Sequence, residues 1–283
     1  MRLFTFHLVS TQLPLISRER RPLGAVSDDF PSPRRRSGSL AIAVACAFVA
    51  QPGPARAVDW YTGVSTPAAG DDWIVAVDSS MTVTSTGSEF ADLGMTSAIN
   101  GTLNASGVRA RVEGLAGEYS YNEGLTGSRV NGLQEEGALL AGYEWVGRDA
   151  RLGGYLGLDV RNNSLSAVDP TNPVVGTTAG LKSVLEFYLK PTASTFLSAY
   201  GSYTTNENAY YTRIKTGYAI ASEVYVGPEV SYLGNDFFNQ WRVGAHLTGF
   251  RLGGLQLAVS GGYLYDRMQK GGAYTSVDVR VGF

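Results

Sequence analysis

The chain has 283 residues, is rich in glycine (35 residues) and tyrosine (16 residues), and carries a formal net charge of −2. Its mean hydropathy is close to zero, and no run reaches the roughly 18 consecutive apolar residues of a spanning helix, which excludes a helical membrane protein. The near-neutral charge gives no reason to expect nucleic acid as a partner. A transmembrane β-barrel stays compatible with this composition, because lumen-facing polar residues dilute its hydropathy.

Residues 1–57 are predicted to be a leader. Residues 34–36 are three arginines, residues 40–50 form a short apolar stretch, and residues 55–57 (ARA) fit an A-x-A cleavage site. A basic segment, a short apolar stretch and a small-residue site in this order are typical of a secretory signal peptide. We therefore expect an exported protein with an N-terminal signal peptide.

The remaining boundaries follow from this leader. Residues 58–71 are expected to be a short periplasmic lead-in and residues 72–283 the barrel. Residues 1–33 have no periodic pattern, which favours a start codon assigned too far upstream over an unusually long basic region.

Cys46, the single cysteine, would be the acylated residue of a lipoprotein, but the usual leucine before it is missing. Cleavage would remove Cys46, which excludes disulfides and thiolate metal sites in the mature chain.

From residue 72 onward, apolar and polar residues alternate with the period of two expected of β-strands. In the last segment Val277 and Val279 share one face and Asp278 and Arg280 the other, and Phe283 ends the chain as an aromatic residue ends the closing strand of outer-membrane barrels. The pattern predicts about twelve strands (10–14), at residues 72–83, 89–99, 108–121, 136–146, 151–161, 178–189, 195–203, 210–220, 224–232, 240–249, 255–266 and 274–283. We predict an all-β fold, an antiparallel transmembrane β-barrel.

The polar faces carry charges of both signs, which would be costly in the dry core of a soluble sandwich but not in a wet lumen. These candidate lumen charges are Arg109, Arg111, Glu113, Glu136, Glu144, Arg151, Asp159, Arg161, Lys182, Glu186, Arg213, Lys215, Glu229, Arg242, Asp278 and Arg280. They either neutralise one another and so plug or stiffen the barrel, or they line a conduction path of mixed polarity. Aromatic residues near strand ends are expected to form two interfacial girdles: Trp73, Trp145, Trp241, Tyr143, Tyr218, Tyr232, Tyr263 and Tyr265.

Connections alternate between short and long, as in outer-membrane barrels. The predicted periplasmic turns are residues 253–254, 221–223, 190–194 and 147–150, with a moderate one at 100–106. The predicted outer loops are residues 266–273, 233–239, 162–176 and 122–134, with a short one at 204–208.

No catalytic, metal or cofactor site is predicted. Outside the leader His246 is the only histidine, so a multi-histidine metal site is excluded. Ser260 or Ser231 with Glu229 and His246 could be fitted to the scheme of a lipid-modifying barrel enzyme, although neither serine lies in a recognisable nucleophile motif.

Several segments resemble the cellulose biosynthesis protein BcsS family of alphaproteobacteria. The segments are residues 71–78 (DDWIVAVD), 161–164 (RNNS), 169–176 (DPTNPVVG), 208–211 (NAYY), 225–230 (YVGPEV) and 239–249 (NQWRVGAHLTG). The resemblance covers most of residues 59–283 and implies an outer-membrane protein of a Gram-negative bacterium, associated with the production of cellulose or another exopolysaccharide. It implies cellulose or another glucan, other cellulose-secretion components and outer-membrane lipid as partners, and it supplies no catalytic motif.

Two functional hypotheses follow, besides the lipid-modifying enzyme. In the first, the barrel aids the export or surface attachment of a glucan, and Tyr155, Tyr188 and Tyr225 on the polar face contact the sugar by stacking. In the second, the barrel is a closed structural platform whose outer loops, especially residues 162–176 and 122–134, bind a partner or polymer.

Overall fold

The structure, a computed structural model, describes residues 73–283, and these form twelve antiparallel strands that close into a barrel. The strands are β1 (Val75–Thr84), β2 (Glu89–Ala98), β3 (Gly107–Asn122), β4 (Arg129–Val146), β5 (Ala150–Leu165), β6 (Gly176–Thr192), β7 (Thr195–Thr204), β8 (Tyr210–Ala221), β9 (Val224–Gly234), β10 (Asn239–Leu252), β11 (Leu255–Asp266) and β12 (Lys270–Gly282). A three-residue 3₁₀ helix, Asn206–Asn208, lies between β7 and β8. No helix among residues 73–283 is long and apolar enough to cross a membrane. The predicted leader (1–57), with Cys46, and the predicted lead-in (58–71) lie outside the described residues.

Each strand pairs with its neighbours in sequence, and β1 pairs with β12 to close the sheet. In this closing ladder Ala76 lies opposite Gly282 and Thr84 lies opposite Tyr274. Closure leaves no row of unpaired backbone N–H and C=O groups at an edge, which is the condition for placing a sheet in hydrocarbon.

The outward face of the barrel is apolar. Leu139, Leu156 and Leu181 have 67%, 72% and 63% of their surface exposed, whereas Arg109 on the inward face has none. Apolar side chains pointing outward and charged side chains pointing inward are the arrangement of a β-barrel that spans a bilayer. The predicted transmembrane barrel of about twelve strands is confirmed.

The two ends of the barrel differ in their connections. At one end, called the terminal end, β1 begins, β12 ends, and the turns are residues 99–106, 147–149, 193–194, 222–223 and 253–254. At the opposite end, called the loop end, the connections are residues 85–88, 123–128, 166–175, 205–209, 235–238 and 267–269. The predicted turns fall at the terminal end, as expected.

Three predicted outer loops are wrong in their extent. Residues 129–134 of the predicted loop 122–134 belong to β4, since Asn122 pairs with Arg129. Residues 270–273 belong to β12, and residues 162–165 belong to β5. The backbone ladder continues beyond the apolar band, where the regular alternation that marks a strand in sequence is absent.

One girdle assignment is also wrong. Trp73 packs inside the terminal end of the barrel, against Ala76, Ala98 and Leu103, and its ring covers the inward side of Gly282. The other predicted girdle residues are exposed on the outside. Tyr143 and Trp145 contact each other near the terminal end, with 4.9 Å between ring centroids.

Candidate functional site

Aromatic side chains fill the terminal half of the barrel interior. Tyr188 stacks on Phe196 with 5.8 Å between ring centroids, and Tyr225 meets Phe196 edge-on at 5.1 Å. All three are at most 2% exposed. Leu103, in the turn between β2 and β3, is also buried and packs with Ala76, Ala98 and Trp73. Side chains lining an open aqueous pore would remain accessible to water, so this half is packed.

A first ion cluster lies beside this packing and is centred on Glu144. Arg109 Nε lies 2.7 Å from Glu144 Oε2. Arg151 contacts the same oxygen, and the Tyr155 hydroxyl donates to Oε1. The carboxylate therefore accepts from two cations and a phenol, and its partners are all at most 6% exposed.

A second cluster crosses the interior between β3 and the 3₁₀ helix. Its pairs are Arg111–Glu113 (2.7 Å), Lys182–Glu113 (2.7 Å), Lys182–Glu136 (2.7 Å), Arg161–Glu136 (2.6 Å), Arg161–Glu207 (3.4 Å) and Arg111–Glu186. Cations and carboxylates alternate through the cluster, so each charge faces at least one of opposite sign.

A third cluster lies on the opposite wall. Arg213 contacts Glu229 at 2.8 Å and Asp278 at 3.1 Å, and Lys215 contacts Asp278 at 2.8 Å. Ser260 donates to Glu229 at 3.0 Å. All of the predicted lumen charges named in these clusters face inward, and the pairing satisfies the condition under which buried charge is tolerated.

Two of the predicted lumen charges form no ion pair among residues 73–283: Asp159, which accepts from the Thr204 hydroxyl at 2.7 Å, and Arg242. Its Nε donates to Gln240 Oε1 at 2.7 Å, and its guanidinium carbon lies 5.6 Å from the centroid of the Tyr274 ring. Within residues 73–283, Arg242 takes part in no ion pair.

The loop half of the interior contains a cavity of about 260 Å³. Arg111, Glu113, Glu136, Lys182 and Arg213 border it, and Arg242 lies on its wall. Aromatic residues supply much of the remaining lining: Phe90, Tyr119, Tyr121, Tyr200, Tyr210, Tyr211, Phe237 and Phe238. Tyr200 and Tyr211 form a pair with ring centroids 5.7 Å apart. None of the tyrosines predicted to contact glucan, Tyr155, Tyr188 and Tyr225, lines this cavity.

Two loops fold inward at the mouth of the cavity. Glu207, in the 3₁₀ helix at φ 54°, accepts from Asn163 Nδ2 at 2.7 Å. In the loop between β5 and β6, Asp169 accepts from the Tyr121 hydroxyl at 2.9 Å. Hydrogen bonds from the Thr171 hydroxyl, and then from the Thr171 amide and Tyr121, lower the pKa of the Asp169 carboxyl below its usual value. The mouth is therefore structured by polar contacts.

His246 lies in the packed half, where its ring nitrogens have protein partners. Nε2 donates to Thr216 O at 3.0 Å, and Nδ1 accepts from Thr248 at 3.4 Å. Ser260, the serine opposite His246 in the ladder, donates to Glu229 instead. Within residues 73–283, no three His, Cys, Asp or Glu side chains are grouped so as to hold a metal ion.

The aromatic residues of the cavity are not among the residues predicted from the sequence to contact glucan. Tyr211 lies on the same inward face of β8 as Arg213 and Lys215, so strand alternation could have assigned it to the lumen. Phe237 and Phe238 lie in a loop, where no periodicity indicates the direction of a side chain.

The family model for the cellulose biosynthesis protein BcsS matches residues 83–283. The chain belongs to this family. The resemblance identified from the sequence is thereby confirmed, and the BcsS-family chain is an outer-membrane-type β-barrel by its own architecture. No curated protein matches it.

Solved structures similar to this BcsS-family barrel have low sequence identity to it. A KdgM porin in complex with disordered oligogalacturonate is 12% identical and covers 74% of this chain and 99% of its own, with a TM-score of 0.40. The translocator domain of the autotransporter NalP from Neisseria meningitidis is 12% identical, covers 76% and 89%, and has a TM-score of 0.45. The beta domain of the Bordetella autotransporter BrkA is 14% identical, covers 75% and 100%, and has a TM-score of 0.44.

Proposed function

We propose that this barrel is a closed, outward-facing receptor of the bacterial outer membrane that attaches cellulose or a related glucan at the cell surface. The observation that carries the proposal is the division of the interior into a packed terminal half and a loop half with an aromatic-lined cavity. Membership of the cellulose biosynthesis family supplies the polymer class.

The packed half supports attachment over export. An extended glucan chain passing through the barrel would need a continuous channel, yet Tyr188, Phe196 and Tyr225 are at most 2% exposed. The ion clusters above them tie the walls together across the interior. These contacts would all have to break for a sugar chain to pass.

The cavity supports sugar binding. Aromatic rings stack on the apolar faces of sugar rings, and polar groups at the edge bind hydroxyls. Tyr200 and Tyr211 are rings of this kind, and Gln134 on the same cavity is a neutral hydrogen-bonding group.

The orientation follows from the connections. In outer-membrane barrels short turns face the periplasm and longer loops face outward, so the terminal end is periplasmic and the cavity opens to the cell exterior. This places the protein in the outer membrane of a Gram-negative bacterium, with outer-membrane lipid around the apolar band.

We favour a binding role over the lipid-modifying enzyme. In a serine hydrolase the general base is hydrogen-bonded to the nucleophilic serine. The His246 nitrogens instead contact Thr216 and Thr248. His246→Ala is expected to change packing in the terminal half and to leave the composition of the outer-membrane lipids unaltered.

The test is calorimetric titration of the purified barrel in detergent with cello-oligosaccharides. Tyr211→Ala should weaken binding roughly fivefold, because a stacking ring contributes about 1 kcal/mol. Tyr218→Ala is the matched control on the same strand, since Tyr218 faces outward and is 62% exposed. Absence of cello-oligosaccharide binding, or equal effects of the two substitutions, would refute the proposal.

A second candidate is the platform whose outer loops bind another cellulose-secretion component. Leu125 and Val168, in two loop-end connections, are 74% and 91% exposed, and exposed apolar residues favour protein contacts. Leu125→Ser with Val168→Ser should abolish co-purification of such a component and leave cello-oligosaccharide binding unchanged. Loss of sugar binding with retention of the component would contradict this candidate.

A further inference from the structure

Arg242 lies on β10 in the loop half of the barrel and is 8% exposed. Gln240 accepts from its Nε, and the Tyr274 ring covers one face of its guanidinium group. These contacts fix the orientation of the guanidinium group. Among residues 73–283, no acceptor engages its two Nη groups.

The other cations on the cavity wall are neutralised. Arg111, Arg161, Lys182 and Arg213 each have a carboxylate oxygen within 2.8 Å. In the described part of the chain Arg242 has none within 4.0 Å. An unpaired cation in a largely desolvated position is costly, so a negatively charged ligand group at Arg242 would be favoured.

The nearest acidic residue of the adjoining hairpin is engaged elsewhere. Asp266 Oδ1 accepts from the amides of Met268 and Gln269 at 2.7 and 3.1 Å. Its Oδ2 lies 3.4 Å from Gln240 Nε2. Asp266 therefore closes its own turn, and Gln240 separates it from Arg242.

We propose that Arg242 is an anion subsite within the cavity, and that the glucan bound there carries a carboxylate or phosphate substituent. This inference rests on the proposed glucan-binding function. The planar Nη fork of arginine binds two oxygens of such a group in parallel, which a neutral sugar hydroxyl matches less well. The aromatic rings of the cavity bind the sugar, and Arg242 selects the charged chain.

The test compares a cello-oligosaccharide with the same oligosaccharide oxidised to carry 6-carboxylates, titrated into the purified barrel. The wild type should bind the carboxylated form roughly tenfold more tightly, which corresponds to about 1.4 kcal/mol. Arg242→Gln should remove this preference, so that the ratio of the two affinities falls to about one. Arg242→Lys keeps the positive charge but lacks the two parallel Nη donors of arginine. This variant should therefore retain a smaller preference for the carboxylated form. Arg148→Gln is the control, since its side chain is 70% exposed on a turn at the terminal end.

The outcomes separate the two proposals. Equal wild-type affinity for both forms would overturn the anion subsite and leave glucan binding standing, even if Arg242→Gln failed to fold. Binding of neither form would overturn glucan binding itself. Inorganic phosphate titrated alone should bind weakly, and an affinity equal to that of the carboxylated oligosaccharide would assign the site to free anions and overturn the assignment to a polymer.

Discussion

Lys215 and Asp278 meet across the interior of the barrel, with 2.8 Å between Nζ and Oδ2 and side-chain exposures of 2% and 0%. They lie on β8 and β12, which are separated in the sheet by β9, β10 and β11. The pair therefore connects distant parts of the wall. Arg213 contacts the same carboxylate, so Asp278 neutralises two cations.

Replacing Asp278 with alanine should destabilise the barrel by about 3 kcal/mol, because it leaves buried Lys215 and Arg213 with one carboxylate fewer. Guanidinium unfolding in detergent micelles measures the change in the free energy of unfolding. The control is Asp149→Ala, whose pair with Arg148 is 3.9 Å long and exposed, and which should cost less than about 0.5 kcal/mol. Equal losses in the two variants would contradict a stabilising role for the interior clusters.

Much of this fold could be predicted from period-two alternation. Alternation assigned Arg213, Lys215 and Asp278 to the inward face, because successive side chains of a strand point to opposite sides. It could not pair Lys215 with Asp278, since contacts across a barrel depend on strand tilt and stagger. The same limit applies to Tyr155 and Tyr211, which both face inward but at different depths, and only Tyr211 reaches the cavity.

Other features had no sequence signal of this kind. Trp73 lies within the predicted strand 72–83, but β1 begins only at Val75. Strand alternation therefore does not fix its direction, and it packs inward against Gly282. Arg242 is an inward-facing arginine, as are Arg111, Arg161 and Arg213, which form ion pairs. The sequence does not distinguish them, because an ion pair depends on the distance to a carboxylate across the interior.

Gly249 occupies a position that only glycine tolerates. Its φ is 97°, it lies at a register shift in β10, and an added Cβ would lie 1.7 Å from Glu223 O. Gly249→Ala should lower the free energy of unfolding by more than about 2 kcal/mol, through backbone strain and displacement of the neighbouring turn. Gly254→Ala is the control, with nothing within 4 Å of the added Cβ. Heat-modifiable migration of both variants gives the comparison, and an unchanged Gly249→Ala barrel would contradict the tight approach.

The loop between β5 and β6 should loosen in acid. The pKa of Asp169 is lowered in the folded chain, chiefly by the Thr171 hydroxyl. Its stabilising contribution is therefore present above the ordinary aspartate pKa and is lost as the pH falls through the folded value. Amide exchange of residues 170–175, corrected for the intrinsic rate, should rise in acid and stay constant between about pH 6 and 8. Asp169→Asn should show the faster exchange at neutral pH, and a pH-independent loop would refute the role of the carboxylate.

The most direct test of the closed, outward-facing barrel is single-channel conductance of the purified, folded protein in a planar bilayer. A closed barrel should show no steady open-pore conductance, with or without short cello-oligosaccharides, although the same preparation should bind those sugars in solution. Combined Tyr188→Ala and Phe196→Ala substitutions, which remove the stacked pair in the terminal half, should introduce conductance. A steady wild-type conductance that cello-oligosaccharides block would contradict a closed barrel, because it would require a continuous sugar path through the half of the barrel that Tyr188, Phe196 and Tyr225 fill.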